Sequence, residues 1–222
     1  MNGLLAILTK DLRVELRAWR SLAPMALFSA TVFVIFRFAL DRQQLEGGVA
    51  AGVLVTTLLF ASLLAINRIF ISEREEGGFD LIRLSPCDPS SMFLAKTAAL
   101  AIYLILLEII AAPLFALFFL DSAAVLLPLA PVLALTAFGV ATIGSLISGI
   151  ATMSTARDLL APLLLLPLSI PLVIAAAGAA APVLSAGGPE FDGYGTWIAV
   201  LCLYDVIFCA IGFAVFDYLL DE

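Results

Sequence analysis

Histidine is absent from all 222 residues, and the only three cysteines, Cys87, Cys202 and Cys209, form no C-x-x-C pair. Neither a zinc site nor a covalent haem-attachment motif is therefore supported. No segment has the form G-x-x-x-x-G-K-[ST], so any nucleotide chemistry must come from another chain. Charge is scarce as well, at 13% of residues with a formal net charge of −7, and an acidic balance argues against a nucleic-acid partner. The chain is expected to have no catalytic site, no bound metal and no cofactor of its own.

What is abundant is apolar. Hydrophobic residues make up 63% of the chain, against roughly 45–50% in soluble domains. Each bilayer crossing takes about 20 mostly apolar residues, and six such runs stand out, at 21–40, 49–71, 93–120, 123–153, 159–181 and 196–220. The prediction is an all-α, polytopic membrane protein, one transmembrane domain over residues 1–222. Cys202 and Cys209 fall two turns apart on one face of the last run and read as small packing residues.

Lysine and arginine set the orientation. Nine lie on one side: Lys10, Arg13, Arg17 and Arg20 before the first span, Arg68, Arg74, Arg83 and Lys96 around the second connection, and Arg157 in the fourth. Arg37 and Arg42 lie on the other. Both termini are thus expected in the cytoplasm. The start reads as an uncleaved first span rather than a signal peptide, because the apolar run is span-length and no small-residue cleavage site follows it. Residues 3–20, GLLAILTKDLRVELRAWR, place Leu5, Leu8, Leu12, Leu16 and Trp19 on one helical stripe beside a basic stripe. That pattern predicts an amphipathic helix in the inner interface, touching anionic lipid.

Proline and small residues punctuate the second half. Pro128 and Pro131 sit early in the fourth span, and Pro162, Pro167 and Pro171 in the fifth. Interior proline frees a carbonyl that lipid cannot satisfy, so a neighbouring helix or local readjustment must do so; mobile kinks and static, tolerated prolines both fit this pattern. Gly139, Gly144, Ser145, Ser148 and Gly149 read as a close helix–helix contact face.

The charge that does occur is concentrated. Seven charged residues fall within the seventeen positions from Ser72 to Asp88, SEREEGGFDLIRLSPCD. Ser72 with Glu75 has the form of a capping box, Gly77-Gly78 interrupts, and Asp88-Pro89 reads as N-cap and first residue of the next helix. Lipid adhesion alone would favour a basic loop. This one sets Glu73, Glu75, Glu76, Asp80 and Asp88 against Arg74 and Arg83, beside apolar Phe79, Leu81, Ile82 and Leu84, which suits a protein surface of complementary pattern. Residues 72–88 are accordingly the candidate docking element.

EREEGGFDLIRLSP followed by a lysine early in the next span resembles the first cytoplasmic loop of ABC-2-type permeases, whose coupling helix docks on the ATP-hydrolysing subunit. With KDLRVELR, LLAINRIFISEREEGGFDLIRLSP, LLEIIAAPLFALFF, GVATIGSLISGIAT and LLLLPLSIPLVIAAAGA in this order, the chain is similar to the heme exporter protein B family from about residue 9 to its end. The resemblance implies a homodimer bound to two ABC ATPase subunits that carry the ATP and Mg. It also implies a heme-handling membrane subunit, a small single-span helper and a periplasmic heme chaperone, with heme as cargo of the complex, in the cell inner membrane.

Carried onto this loop, the resemblance places Glu75, Glu76, Gly77, Phe79 and Asp80 at the ATPase contact; Glu73, Gly78 and Arg83 complete the candidate set. Phe79 and Asp80 stand where the family more often has leucine and glutamate. Within the membrane, Glu108, Asp205 and Arg37 are the ionisable candidates, since charge at such depth is costly and usually faces protein or water. Glu108 matches the family's carboxylate in its LLEIIAAP-like segment. A coupling loop identifies the motor and not the cargo. An ABC-2 exporter of a lipid, peptide, drug or ion, or a membrane scaffold that does not transport, therefore remain as alternatives.

Overall fold

A computed structural model describes residues 19–40, 45–75, 89–120, 122–151, 157–185, 189 and 191–220. Among these residues there is no strand. The elements are α1 (Trp19–Ala39), α2 (Gly47–Glu75), α3 (Pro89–Phe119), a single 3-10 turn (Ala123–Val125), α4 (Leu126–Ala151), α5 (Arg157–Val183) and α6 (Tyr194–Leu220). All six α-helices are long and apolar enough to cross a membrane.

Local chemistry explains the ends. α3 opens on Pro89, a first helical position at which the missing N–H costs nothing. Ser122 caps the 3-10 turn by accepting the Ala124 N–H at 3.2 Å. α2 opens on Gly47 in the left-handed region, φ 55°, a conformation glycine adopts without steric penalty. That geometry aims the Gly47 N–H at the Leu184 carbonyl, 2.7 Å away at the far end of α5. The helix of the second span does not stop at Ile71. It is still running at Ser72 and ends at Glu75, so Ser72 is a helix-interior residue and not the N-cap of a new helix. A four-residue match lacks the information to override a helix already propagating from 47.

Side-chain pairings show that successive helices alternate in direction. Near one face of the bundle, Gly144 of α4 meets Ile66 of α2 and Leu100 of α3, and Gly212 of α6 meets Phe93 of α3. Near the other, Phe33 of α1 packs edge-on to Phe115 of α3 with centroids 5.4 Å apart, and Trp197 of α6 covers Gly178 of α5. The first face carries the ends of α2, α4 and α6 and the beginnings of α3 and α5.

α4 occupies the middle, touching α2, α3, α5 and α6. Its glycines allow this. A Cβ at Gly139 would come within 2.6 Å of the Asp205 carboxyl and 2.7 Å of Leu172, while one at Gly144 would come within 2.9 Å of Ile66. Five residues span about 140° on an α-helix, so these small residues serve two contact faces rather than the single one expected. The outer helices are α1 and α6: 22% of each span's residues are buried, against 61% in the span of α2.

Candidate functional site

The charged segment divides at the end of α2. Glu73 and Glu75 belong to the helix's last turn, whereas Glu76, Gly77, Gly78, Phe79, Asp80 and Arg83 lie outside the described residues. So does the proposed interfacial helix, apart from Trp19 and Arg20, which open α1.

Of the intramembrane candidates, Arg37 sits in the last turn of α1, where a cation meets the helix's exposed carbonyl end. Glu108, only 8% exposed, lies on α3 seven residues before Phe115 and eleven before Phe119. Both phenylalanines pack against Phe33 of α1, and residues at these spacings share one side of a helix. Glu108 therefore belongs to the α1-facing stripe of α3. Asp205 is 4% exposed and lies elsewhere, its carboxyl against Gly139 of α4. The two buried acids occupy different seams, so the structure does not assemble them into one site.

α6 packs against α3, α4 and α5, and a few specific contacts fix its register. The Tyr194 hydroxyl donates to the Pro128 carbonyl of α4 at 2.9 Å, and the Tyr204 hydroxyl donates to the Leu168 carbonyl of α5 at 2.6 Å. Each accepting carbonyl lies three residues before a proline, Pro131 in the first case and Pro171 in the second. The ladder bond that proline removes is the one to the carbonyl four residues back, Leu127 and Pro167 here, so each tyrosine grips the carbonyl next to the freed one, in the turn that the proline ring crowds. The residue offset from Pro128 to Tyr194 is repeated from Gly139 to Asp205, so α4 and α6 run parallel and in register. Tyr204 also stacks on Phe208 with centroids 4.4 Å apart.

At the first face, a second apolar cluster stands apart from the main core. It comprises Met92, Phe93 and Phe216, with Cys209 and Phe213 against it. The Phe93 ring, fully buried, lies 5.1 Å from Phe216 and 5.5 Å from Phe213 between centroids and presses on Gly212 so closely that no Cβ fits there. This corrects the reading of the cysteines: Cys209 is packed, but Cys202 is exposed. Although they share a face of α6, only the end near α3 is covered.

Comparison with known proteins decides the family. The family model described as CcmB protein matches residues 2–218. The chain belongs to that family. Relatives of this CcmB-family chain named Heme exporter protein B are 32% identical over 218 residues in Bradyrhizobium diazoefficiens, covering 96% of this chain and 94% of the relative. In Rhodobacter capsulatus the identity is 31% over 170 residues, 76% of this chain and 78% of the relative. In Pseudomonas aeruginosa it is 30% over 197 residues, 88% and 87% respectively.

Sequence reasoning missed the residues that hold α6 in place. Tyr194, Tyr204, Trp197 and Phe93 look like ordinary apolar-span aromatics, and nothing in the chain order pairs them with Pro128, Leu168, Gly178 and Gly212. The available signal was partial: prolines at 131 and 171 announced disturbed turns before them, and tyrosine is a donor that can enter an apolar span.

Proposed function

We propose that this chain is the permease subunit of an ABC transporter complex for cytochrome c maturation, serving heme export or the ATP-driven release of a heme-loaded periplasmic chaperone. The observation that carries this reading is the CcmB family match across residues 2–218, in a chain whose described residues supply six helices able to cross a membrane. Relatives bearing the name Heme exporter protein B align along most of its length. The chain contributes no ATP chemistry. A separate ABC ATPase binds ATP and Mg and docks at Glu73, Glu75, Glu76, Gly77, Gly78, Phe79, Asp80 and Arg83. The permease works as a homodimer in the inner membrane with both termini cytoplasmic, which the nine-to-two asymmetry of lysine and arginine supports. Its further partners are a heme-handling membrane subunit, a small single-span helper and the chaperone.

The role is mechanical rather than heme-ligating. Haem iron takes histidine, methionine, cysteine or tyrosine as axial ligand. Here histidine is absent, Met25 and Met92 are buried in helix packing, the hydroxyls of Tyr194 and Tyr204 are committed to backbone carbonyls, and Cys209 is packed, which leaves exposed Cys202 as the one candidate ligand among these side chains. Glu108 shapes the α1–α3 seam that responds to the motor, and Arg37 anchors the outer end of α1.

The test is replacement of Glu76 and Asp80 together by lysine in cells that depend on this chain. The expected result is that the ATPase no longer co-purifies and haem-stained c-type cytochromes disappear. Normal cytochrome c in that strain would sink the assignment.

A further inference from the structure

We propose that α6 is the helix moved by the ATPase stroke, and that Phe93 seated on Gly212 is the joint that moves it. This rests on the coupling role given above to the segment before α3.

α3 begins at Pro89, immediately after that segment in the chain, and Phe93 lies one turn inside it. A displacement applied to the start of α3 therefore reaches Phe93 before any deeper residue. Phe93 does not join the main core; its ring is clasped by Gly212, Phe213 and Phe216 of α6 and by Met92 of its own helix. A ring resting on bare backbone and flanked by two further rings transmits displacement in either direction, because close-packed side chains have no slack to absorb it.

The other contacts of α6 suit an element that shifts as a body. Only 22% of its span residues are buried, so most of its surface faces away from the core. Its remaining holds are spaced along its length: Tyr194 on Pro128, Trp197 on Gly178, Tyr204 on Leu168 and Asp205 on Gly139. Both tyrosines grip α4 and α5 next to prolines, the places where a helix bends most readily. The joint at the first face and the Trp197 and Tyr194 holds at the second make α6 a rod linking the coupling end to the opposite ends of α4 and α5.

Asp205 adds a cost that is local to the α4–α6 contact. Both of its carboxyl oxygens are buried without a hydrogen-bond partner among the described residues. Buried polar groups in settled structures are almost always partnered, and an orphan raises the free energy of the state that contains it. That cost falls at the contact of α6 with Gly139 of α4.

The test uses the assembled complex in lipid nanodiscs, with Cys87, Cys202 and Cys209 replaced by serine. Spin labels on cysteines at exposed Phe38 and Ala199, near the second-face ends of α1 and α6, report their separation with and without a non-hydrolysable ATP analogue. The expected result is a nucleotide-dependent change in distance that falls to about half or less in Phe93→Ala and returns in Phe93→Ala with Gly212→Phe, where a ring fills the hole from the other side; such coupling is the physical warrant a transmission claim needs. A full response in Phe93→Ala overturns the joint while leaving the coupling loop intact. An assembled double variant that stays unresponsive also overturns it. No response in the parent complex, although the ATPase is bound, overturns the coupling reading and this inference with it.

Discussion

Removing one oxygen atom tests how α6 is held. Tyr204→Phe deletes the hydroxyl that donates to the Leu168 carbonyl at 2.6 Å and keeps the ring stacked on Phe208, so packing changes little. Interhelical hydrogen bonds within membranes average about 0.6 kcal/mol and reach about 1.7. This one belongs in the upper part of that range. It is short, Tyr204 is buried, and the accepting carbonyl lies in the turn before Pro171, where the ring disturbs the helix ladder and no water can substitute. A loss of about 1–1.7 kcal/mol follows, roughly a five- to twentyfold shift in the unfolding equilibrium. The matching bond from Tyr194 is longer, 2.9 Å, and sits at a helix start, so Tyr194→Phe costs less. Equilibrium unfolding in mixed micelles with rising dodecyl sulfate measures both. Trp197 is the natural probe because its indole rests on Gly178 of α5, and Trp19→Phe removes the only other tryptophan. An unfolding midpoint for Tyr204→Phe equal to that of the parent, or a larger loss in Tyr194→Phe, would refute the view that these hydroxyls brace the proline-bearing helices.

Two further outcomes bear on the core and on the buried acid. Gly144→Ala changes stability by no more than about 1 kcal/mol, since the gain in helix propensity offsets contacts with the movable ends of Ile66 and Leu100. Gly144→Leu, with no such room, loses about 1–3 kcal/mol in the same unfolding assay; equal stability of the two variants would place Gly144 outside the α2–α3–α4 contact. Glu108→Gln preserves shape and leaves the complex assembled, and the expected reading is a fall in haem-stained c-type cytochromes to about half or less, the carboxylate being costly to keep at that depth without a use. Wild-type yield would reduce Glu108 to a packing residue.

How much could be read without coordinates depended on the range of the interaction. Six spans followed from run length alone, because backbone groups in lipid must satisfy one another within the same helix. Pro89 as a helix start was equally local. The capping-box reading at Ser72 failed because a local signal was weighed without the helix already in progress. Gly139 and Gly144 were recognised as contact residues, yet their division between two faces depends on which helices lie beside α4. The cysteines, seven residues apart on one face, ended in different surroundings because a cluster formed with α3 covers only one of them.

Composition and order alone determined that this is a membrane protein with six candidate spans and a dense charged stretch before α3, since hydrophobic length and charge placement are properties of the chain in isolation. Motif order carried the family resemblance by the same route. Only the tertiary structure decided that Asp205 and Glu108 lie in separate seams, that two tyrosines of α6 reach carbonyls beside prolines, and that Phe93 rests on Gly212. Those pairings join residues 36 and 66 positions apart or more. In an apolar bundle, which helix lies against which is settled by the fit of rings into glycine hollows and of donors onto backbone carbonyls, and a linear pattern of apolar residues contains neither.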